Sequence, residues 1–180
     1  MALPRDFAPA KLVCGVIFGR AALYDRAREL LVGLHGPVDF ESPAFPFDLT
    51  DYYEKDMGAG LERRFMSFRR LVDPADLPVI KIATNALEEK VASEAGGRAR
   101  PVNIDPGYVT ASALVMATAK DFAHRIPLGR GIYAHLELLF TRTGVRFLDW
   151  TYPDVRREGP CSFFLAVRKE CLEQLKGAGG

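Results

Sequence analysis

The sequence has no CxxC pair, no apolar run near the roughly 20 residues that a membrane helix needs, and no excess of charge of either sign. Each absence excludes something. Cys14, Cys161 and Cys171 are three cysteines without redox or zinc-ribbon spacing, so no disulfide scaffold is expected and the pattern fits a reducing cytoplasm. Cys14 stands inside an apolar run, where it reads as a small core residue. Lysine and arginine number 24 against 23 acidic residues, a net charge of +1. No global field draws the chain onto nucleic acid or an anionic membrane, so any preference for anions has to be local. The opening MALPRDFAPAK carries no signal-like stretch, and the expectation is a cytoplasmic protein with no membrane partner.

Catalytic signatures are missing too. There is no GxxxxGK[ST] loop to cradle phosphates, no GxSxG elbow, and no HxH or HExxH spacing that sets two imidazoles on one face. The histidines stand in His35-Gly36-Pro37, His124-Arg125-Ile126 and His135-Leu136-Glu137, which are not the paired H-x-S/T motifs of a two-histidine phosphoesterase. His124 and His135 with Asp105, Asp121 or Glu137 offer nitrogen and oxygen donors in principle, but without metal spacing no metal is assigned and no cofactor is specified.

What is present is ordinary globular composition, 48% hydrophobic and 26% charged over 180 residues, enough for one domain with a sizeable core. Residues 1–10 read as a flexible arm, 11–176 as a single α+β domain and 177–180 as a flexible tail. Lys11 to Gly19 is a continuous β-branched run, as in a strand buried on both faces. Ala21 to Leu34 switches to helical spacing and stops at Gly36-Pro37. Val38 to Phe47, broken by Pro43 and Pro46, predicts an edge strand. Tyr52 to Gly58 reads as a single helical turn. Leu61 to Val72 predicts a strand with arginines on both faces, and Leu77 to Ala92 a second helix. Gly96-Gly97 with Arg98 and Arg100 make a loop before a strand that begins at Pro101. That order predicts a ferredoxin-like βαββαβ core over 11–110, an antiparallel sheet with two helices on one face. Residues 111–176 extend it: Ala113 to Ala119 is too short to assign by period, Gly131 to Phe140 and Val145 to Trp150 form a β-hairpin, and Cys161 to Leu175 is a C-terminal helix.

The densest set of polar residues at the ends of apolar runs lies in Val102 to Tyr133. Asn103 and Asp105 stand at strand spacing, and Asp105-Pro106-Gly107-Tyr108 reads as a turn. Lys120, Asp121, His124 and Arg125 close the next apolar run. Several phrases, FPFDLTDYYEKDMG at Phe45 to Gly58, RRFMSFRRLVDP at Arg63 to Pro74, KIATNALEEK at Lys81 to Lys90, NIDPGY at Asn103 to Tyr108, KDFAHRI at Lys120 to Ile126, LGRGIYA at Leu128 to Ala134 and WTYPD at Trp150 to Asp154, resemble a bacterial family, domain of unknown function 4416. The likeness runs from about Lys11 to Leu175. Some members carry the label GTP-binding protein. The resemblance therefore imports nucleotide binding as an implication, although Gly129-Arg130-Gly131 is a turn between extended segments and no phosphate loop is present.

From the residues, the expectation is an anion pocket for a phosphorylated or nucleotide-like small molecule. Arg63, Arg64, Lys81, Lys120 and Arg125 are its candidate cations, with Tyr53, Asn103, Gly107, Tyr108 and Tyr133 as further ligand contacts. Asp105, Asp121 and His124 are candidate acid–base groups. Whether the ligand is turned over stays open, as does an Arg125–Asp105 pair of purely structural role. The rival reading is a binding or adaptor protein associating through its sheet, with a homo-oligomer among the outcomes. Nucleic acid is disfavoured by the balanced charge and the lack of a basic helix.

Overall fold

β1 (Ala10–Phe18) is buried at every position, which an unbroken apolar run requires of a central strand. The computed structural model describes residues 3–50, 52–97 and 100–178. Arg98, expected in a loop, and the extreme ends of the expected arm and tail lie outside those residues. α1 (Ala21–His35) follows β1, then the short edge strands β2 (Val38–Glu41) and β3 (Phe45–Pro46) and a single turn α2 (Glu54–Met57). β4 (Glu62–Val72) leads through a 3-10 turn, Pro74–Asp76, into α3 (Leu77–Glu94). β5 (Val102–Val109), β6 (Ala113–Thr118), β7 (Ile126–Gly129), β8 (Ile132–Phe140) and β9 (Val145–Phe147) follow, and α4 (Glu158–Ala178) is the last element of the described residues. The protein is α+β, and no helix of the described residues is long and apolar enough to cross a membrane.

The nine strands of the described residues form one sheet in the order β2-β4-β1-β5-β6-β8-β7, with β3 added beside β4 and β9 beside β8. The neighbours pair antiparallel. It is larger than the four strands of the expected core, because residues 113–147 add their strands to the same sheet. Two layers cover it. α1 and α3 pack on one face with Leu12, Cys14, Val16, Val102 and Ile104. Phe163, Phe164 and Val167 of α4 pack on the other with Val13, Phe65, Val109 and Leu138. Lys11, fully buried, ties the end of α4 to the sheet by donating to Gln174 Oε1 at 2.9 Å while paired with Asp39.

The expected turn at Asp105 to Tyr108 is not there. β5 runs straight through it, paired with β1 from Val102 to Val109. Its pairing with β6, however, covers only Gly107↔Met116, Tyr108↔Val115 and Val109↔Leu114. Beyond Gly107 the two strands part. Ile104 shows why, because its N–H donates to Glu88 Oε1 at 2.6 Å and its carbonyl accepts from Lys81 Nζ at 2.7 Å. These are the groups a continuing β6 would have satisfied. By the two-residue period of a strand, Pro106 faces the same edge and has no N–H to offer a ladder. Gly107 is glycine because the strands touch at that fork: a Cβ there would lie 2.5 Å from Met116 Sδ and from the Val115 carbonyl.

Replacing Gly107 by Ala should therefore cost about 1–3 kcal/mol through overpacking, whereas Gly33→Ala, inside α1 with nothing within 4 Å of its added methyl, should stabilise by about 0.5–1 kcal/mol; urea unfolding of the two variants separates these signs. His35 ends α1 edge-on to Phe68, and burial lowers its pKa from 6.5 to about 4. Between those values the unfolded chain takes up a proton that the folded one refuses, so stability should fall as pH drops through that window. His35→Gln should flatten this part of the stability profile.

Candidate ligand-binding cleft

The gap between β5 and β6 opens into a cavity of about 760 Å³. β5 supplies Asn103 and Asp105, β6 and the residues after it supply Ala117 to Lys120, and α3 supplies Lys81, Asn85 and Glu88. β8 contributes His135 and Glu137, the segment before α4 contributes Tyr152 to Val155, and Phe47, Leu49, Thr50, Tyr52 and Tyr53 lie across the remaining side.

At its floor lies Arg63, almost fully buried. Strand alternation puts it on the same face as Phe65, two residues on, whose ring packs against Phe164 at 4.9 Å. Its Nη1 donates to Asp154 Oδ2 at 2.6 Å and its Nη2 to Asp105 Oδ2 at 3.3 Å, while the guanidinium lies over the Phe65 ring at 4.6 Å. Gly15 of β1 makes room for it, since a Cβ there would fall 2.7 Å from the Phe65 ring and 2.8 Å from Arg63 Nη2. Burial works against the Arg63 charge, but Asp154 and then Asp105 outweigh it and its pKa is raised. Asp105 also accepts from Asn103 Nδ2 at 2.7 Å and lies 3.6 Å from Lys81 Nζ. With its side chain 25% exposed, Asp105 is more open than its buried partners Arg63 and Lys81. On α3, burial raises the pKa of Glu88, opposed by Lys81 and by Arg100, with which it pairs.

The side wall is aromatic. Tyr53 meets Phe47 edge-on at 5.7 Å and Tyr52 at 5.0 Å, and burial, followed by the Asp105 charge, raises its pKa. Lys120 stands at the mouth with Nζ 3.7 Å from the centre of the Tyr52 ring. Opposite, Tyr152 stacks on His135 at 5.0 Å and accepts from Arg125 Nη2 at 2.9 Å.

Of the residues expected in the site, Tyr53, Arg63, Lys81, Asn103, Asp105 and Lys120 line this cleft. Arg64 does not. It lies one residue from Arg63, over the Tyr24 ring, and pairs with Glu41. Gly107 is the contact at the fork, Tyr108 packs against Leu77, Ala117 and Ile132, and Tyr133 sits on β8 outside the lining. Asp121 is exposed beyond the mouth. His124 and Arg125 stand outside the lining: His124 meets it at His135, and Arg125 meets it at His135, Tyr152 and the Lys120 carbonyl. Asp105 pairs with Arg63 and Lys81 rather than with Arg125. Asp154, Glu137 and Glu88 were not among the expected residues. Asp154 was visible in the WTYPD phrase, yet 91 residues separate it from Arg63 and nothing in spacing joins them. Among the described residues no three of His, Cys, Asp and Glu are grouped to hold a metal ion.

Removing one member of this network should be costly. Arg63→Met leaves two carboxylates at the cleft floor without their guanidinium and should lose about 3–5 kcal/mol in urea unfolding, while adding Asp154→Asn should restore part of the loss. Additive losses in the two variants would show that the pair is not coupled.

Comparison with known proteins gives one family: the model described as Domain of unknown function (DUF4416) matches residues 8–171. No curated protein and no solved structure matches the chain.

Proposed function

Taking as premise that the chain belongs to the Domain of unknown function (DUF4416) family, we propose that it binds a phosphorylated, nucleotide-like small molecule in the cleft between β5 and β6. The observation that carries this reading is the arrangement of the cleft itself. A space of about 760 Å³ falls within the range of small-molecule sites, with aromatic rings on its sides, a hydrogen-bonded carboxylate at its floor and a lysine at its mouth. Each part suits one part of such a ligand. The rings of Tyr53 and Tyr152 offer faces to a planar group. Asp105, held by Asn103 and Arg63, accepts from sugar hydroxyls. Arg63 and Lys81 are already engaged by carboxylates, so the phosphate falls to Lys120. Asp105 is also the cleft group best placed to exchange a proton with the ligand if the ligand is turned over.

Residues 10–109 we read as a ferredoxin-like unit within the larger sheet. The strand order β2-β4-β1-β5, its antiparallel pairing and the placement of α1 and α3 on one face support that reading. A second role, association through a sheet edge, is favoured by β7, whose Ile126 and Leu128 are 64% and 40% exposed. Sedimentation of Ile126→Lys against the parent chain tests it.

For the main reading, nucleoside mono-, di- and triphosphates, sugar phosphates and inorganic phosphate should be screened by thermal shift. A cleft ligand at a hundred times its Kd should raise Tm by roughly 5–10 °C, and Lys120→Met should remove most of that rise while leaving the Tm of the free protein unchanged. A screen without any shift, or one indifferent to Lys120→Met, overturns the assignment.

A further inference from the structure

Behind the Tyr152 wall lies a line of polar groups that the ligand reading does not use. His135 is 1% exposed and Glu137 fully buried, and both border the cleft. His135 Nδ1 faces a fixed donor, Arg125 Nε at 3.3 Å, and a second ring nitrogen, His124 Nε2 at 3.2 Å. A guanidinium only donates, so Nδ1 carries the lone pair and the ring proton sits on Nε2. His124 Nε2, facing the same lone pair, must also carry its proton, which leaves His124 Nδ1 bare. On the far side, His135 Nε2 lies 3.0 Å from Glu137 Oε2 in a contact too poorly aligned to be a hydrogen bond, and neither atom has another partner among the described residues. Glu137 Oε1 is occupied by the Tyr152 amide at 2.6 Å. The rings are held on both sides: Trp150 stacks on His124 at 4.7 Å and Tyr152 on His135 at 5.0 Å.

We propose that His124, His135 and Glu137 form a proton relay leading from the half-buried His124 to the wall of the cleft, where it serves acid–base chemistry on the bound ligand. Its service to a ligand rests on the cleft reading above; the relay itself does not. In one passage a proton enters at His124 Nδ1 and the Nε2 proton of His124 moves to His135 Nδ1. The Nε2 proton of His135 then moves to Glu137 Oε2, so that one proton has entered, one has arrived and both imidazoles end neutral in the other tautomer. The last transfer requires that contact to be brought into line while Glu137 Oε1 stays on the Tyr152 amide. Arg125 sets the resting state, because its bond to Nδ1 disfavours a proton there until His124 delivers one. It also donates to the Lys120 carbonyl at 2.8 Å and to the Tyr152 hydroxyl, joining the relay to both sides of the cleft mouth. The groups around His135 are thus Glu137, His124, Arg125 and Tyr152. Burial first, then His135 and Arg125, lower the pKa of His124, which keeps it neutral and able to pass a proton at neutral pH.

The test is nitrogen-15 NMR of the full chain labelled at histidine, without ligand. His135 should show the Nε2–H tautomer, with a proton that exchanges with water despite its burial. His124→Phe keeps an aromatic ring on Trp150 but removes both nitrogens, and should slow that exchange at least tenfold; an unchanged or faster rate overturns the relay. Glu137→Gln retains an acceptor for the Tyr152 amide and should shift the His135 nitrogen signals, and signals that stay in place would remove Glu137 as the terminus. If these results hold and no phosphorylated compound shifts Tm, only the cleft reading fails; if a ligand binds and the exchange ignores His124, only the relay fails.

Discussion

The interruption of hydrogen bonding between β5 and β6 is the constraint on which the rest of the molecule depends. A sheet interior cannot leave backbone donors and acceptors bare, so two strands that part inside a covered sheet need substitutes for the missing ladder. Here α3 provides them, with Lys81 and Glu88 taking the carbonyl and amide of Ile104. Two side chains one full heptad apart on a helix meet both groups of one residue. Pro106 removes the donor that would have tempted β6 back, and Gly107 lets the strands touch at the point where they separate. A cleft is thereby opened within a sheet, with β5, β6, β8 and α3 contributing to its walls.

Charge follows from the same geometry. Ionised groups brought to the floor of such an opening lose water, and they persist there because each has a partner. Arg63 bridges Asp105 and Asp154, Lys81 reaches Asp105, and Arg100 meets Glu88. A single uncompensated charge at this depth would cost several kcal/mol. On the proposed reading of the cleft, the balanced floor would present oriented donors and acceptors to a ligand, and the long-range attraction would fall to the lysine at the mouth. The aromatic residues from Phe47 to Tyr53 and Tyr152 confine the space without adding charge.

Periodicity read the backbone well where one environment acts along a whole element. The two-sided burial of β1, the stripe of α1 and the prolines of the β2 and β3 edge were all visible as patterns. β6 was ambiguous because six residues of a helix and of a strand look alike without their neighbours, and β7, with only Ile126 and Leu128 either side of Pro127, is too short to show a period. The phrase Asp105-Pro106-Gly107-Tyr108 carried the signature of a turn, but proline and glycine also mark a ladder that ends and a backbone that is closely approached. Local sequence does not distinguish these uses.

Thus the chain by itself determined its α+β class, its central strand, its principal helices and the polar character of the Asn103 and Asp105 phrase, because each depends on residue type and short-range spacing. Tertiary structure alone decided that Arg63 faces the cleft while Arg64 turns away, that Asp154 closes on Arg63 from 91 residues away, and that His124 reaches the cleft only through His135. The physical reason is that pairing across a sheet is set by which strands become neighbours, and that choice is made by the burial of whole faces rather than by any one segment.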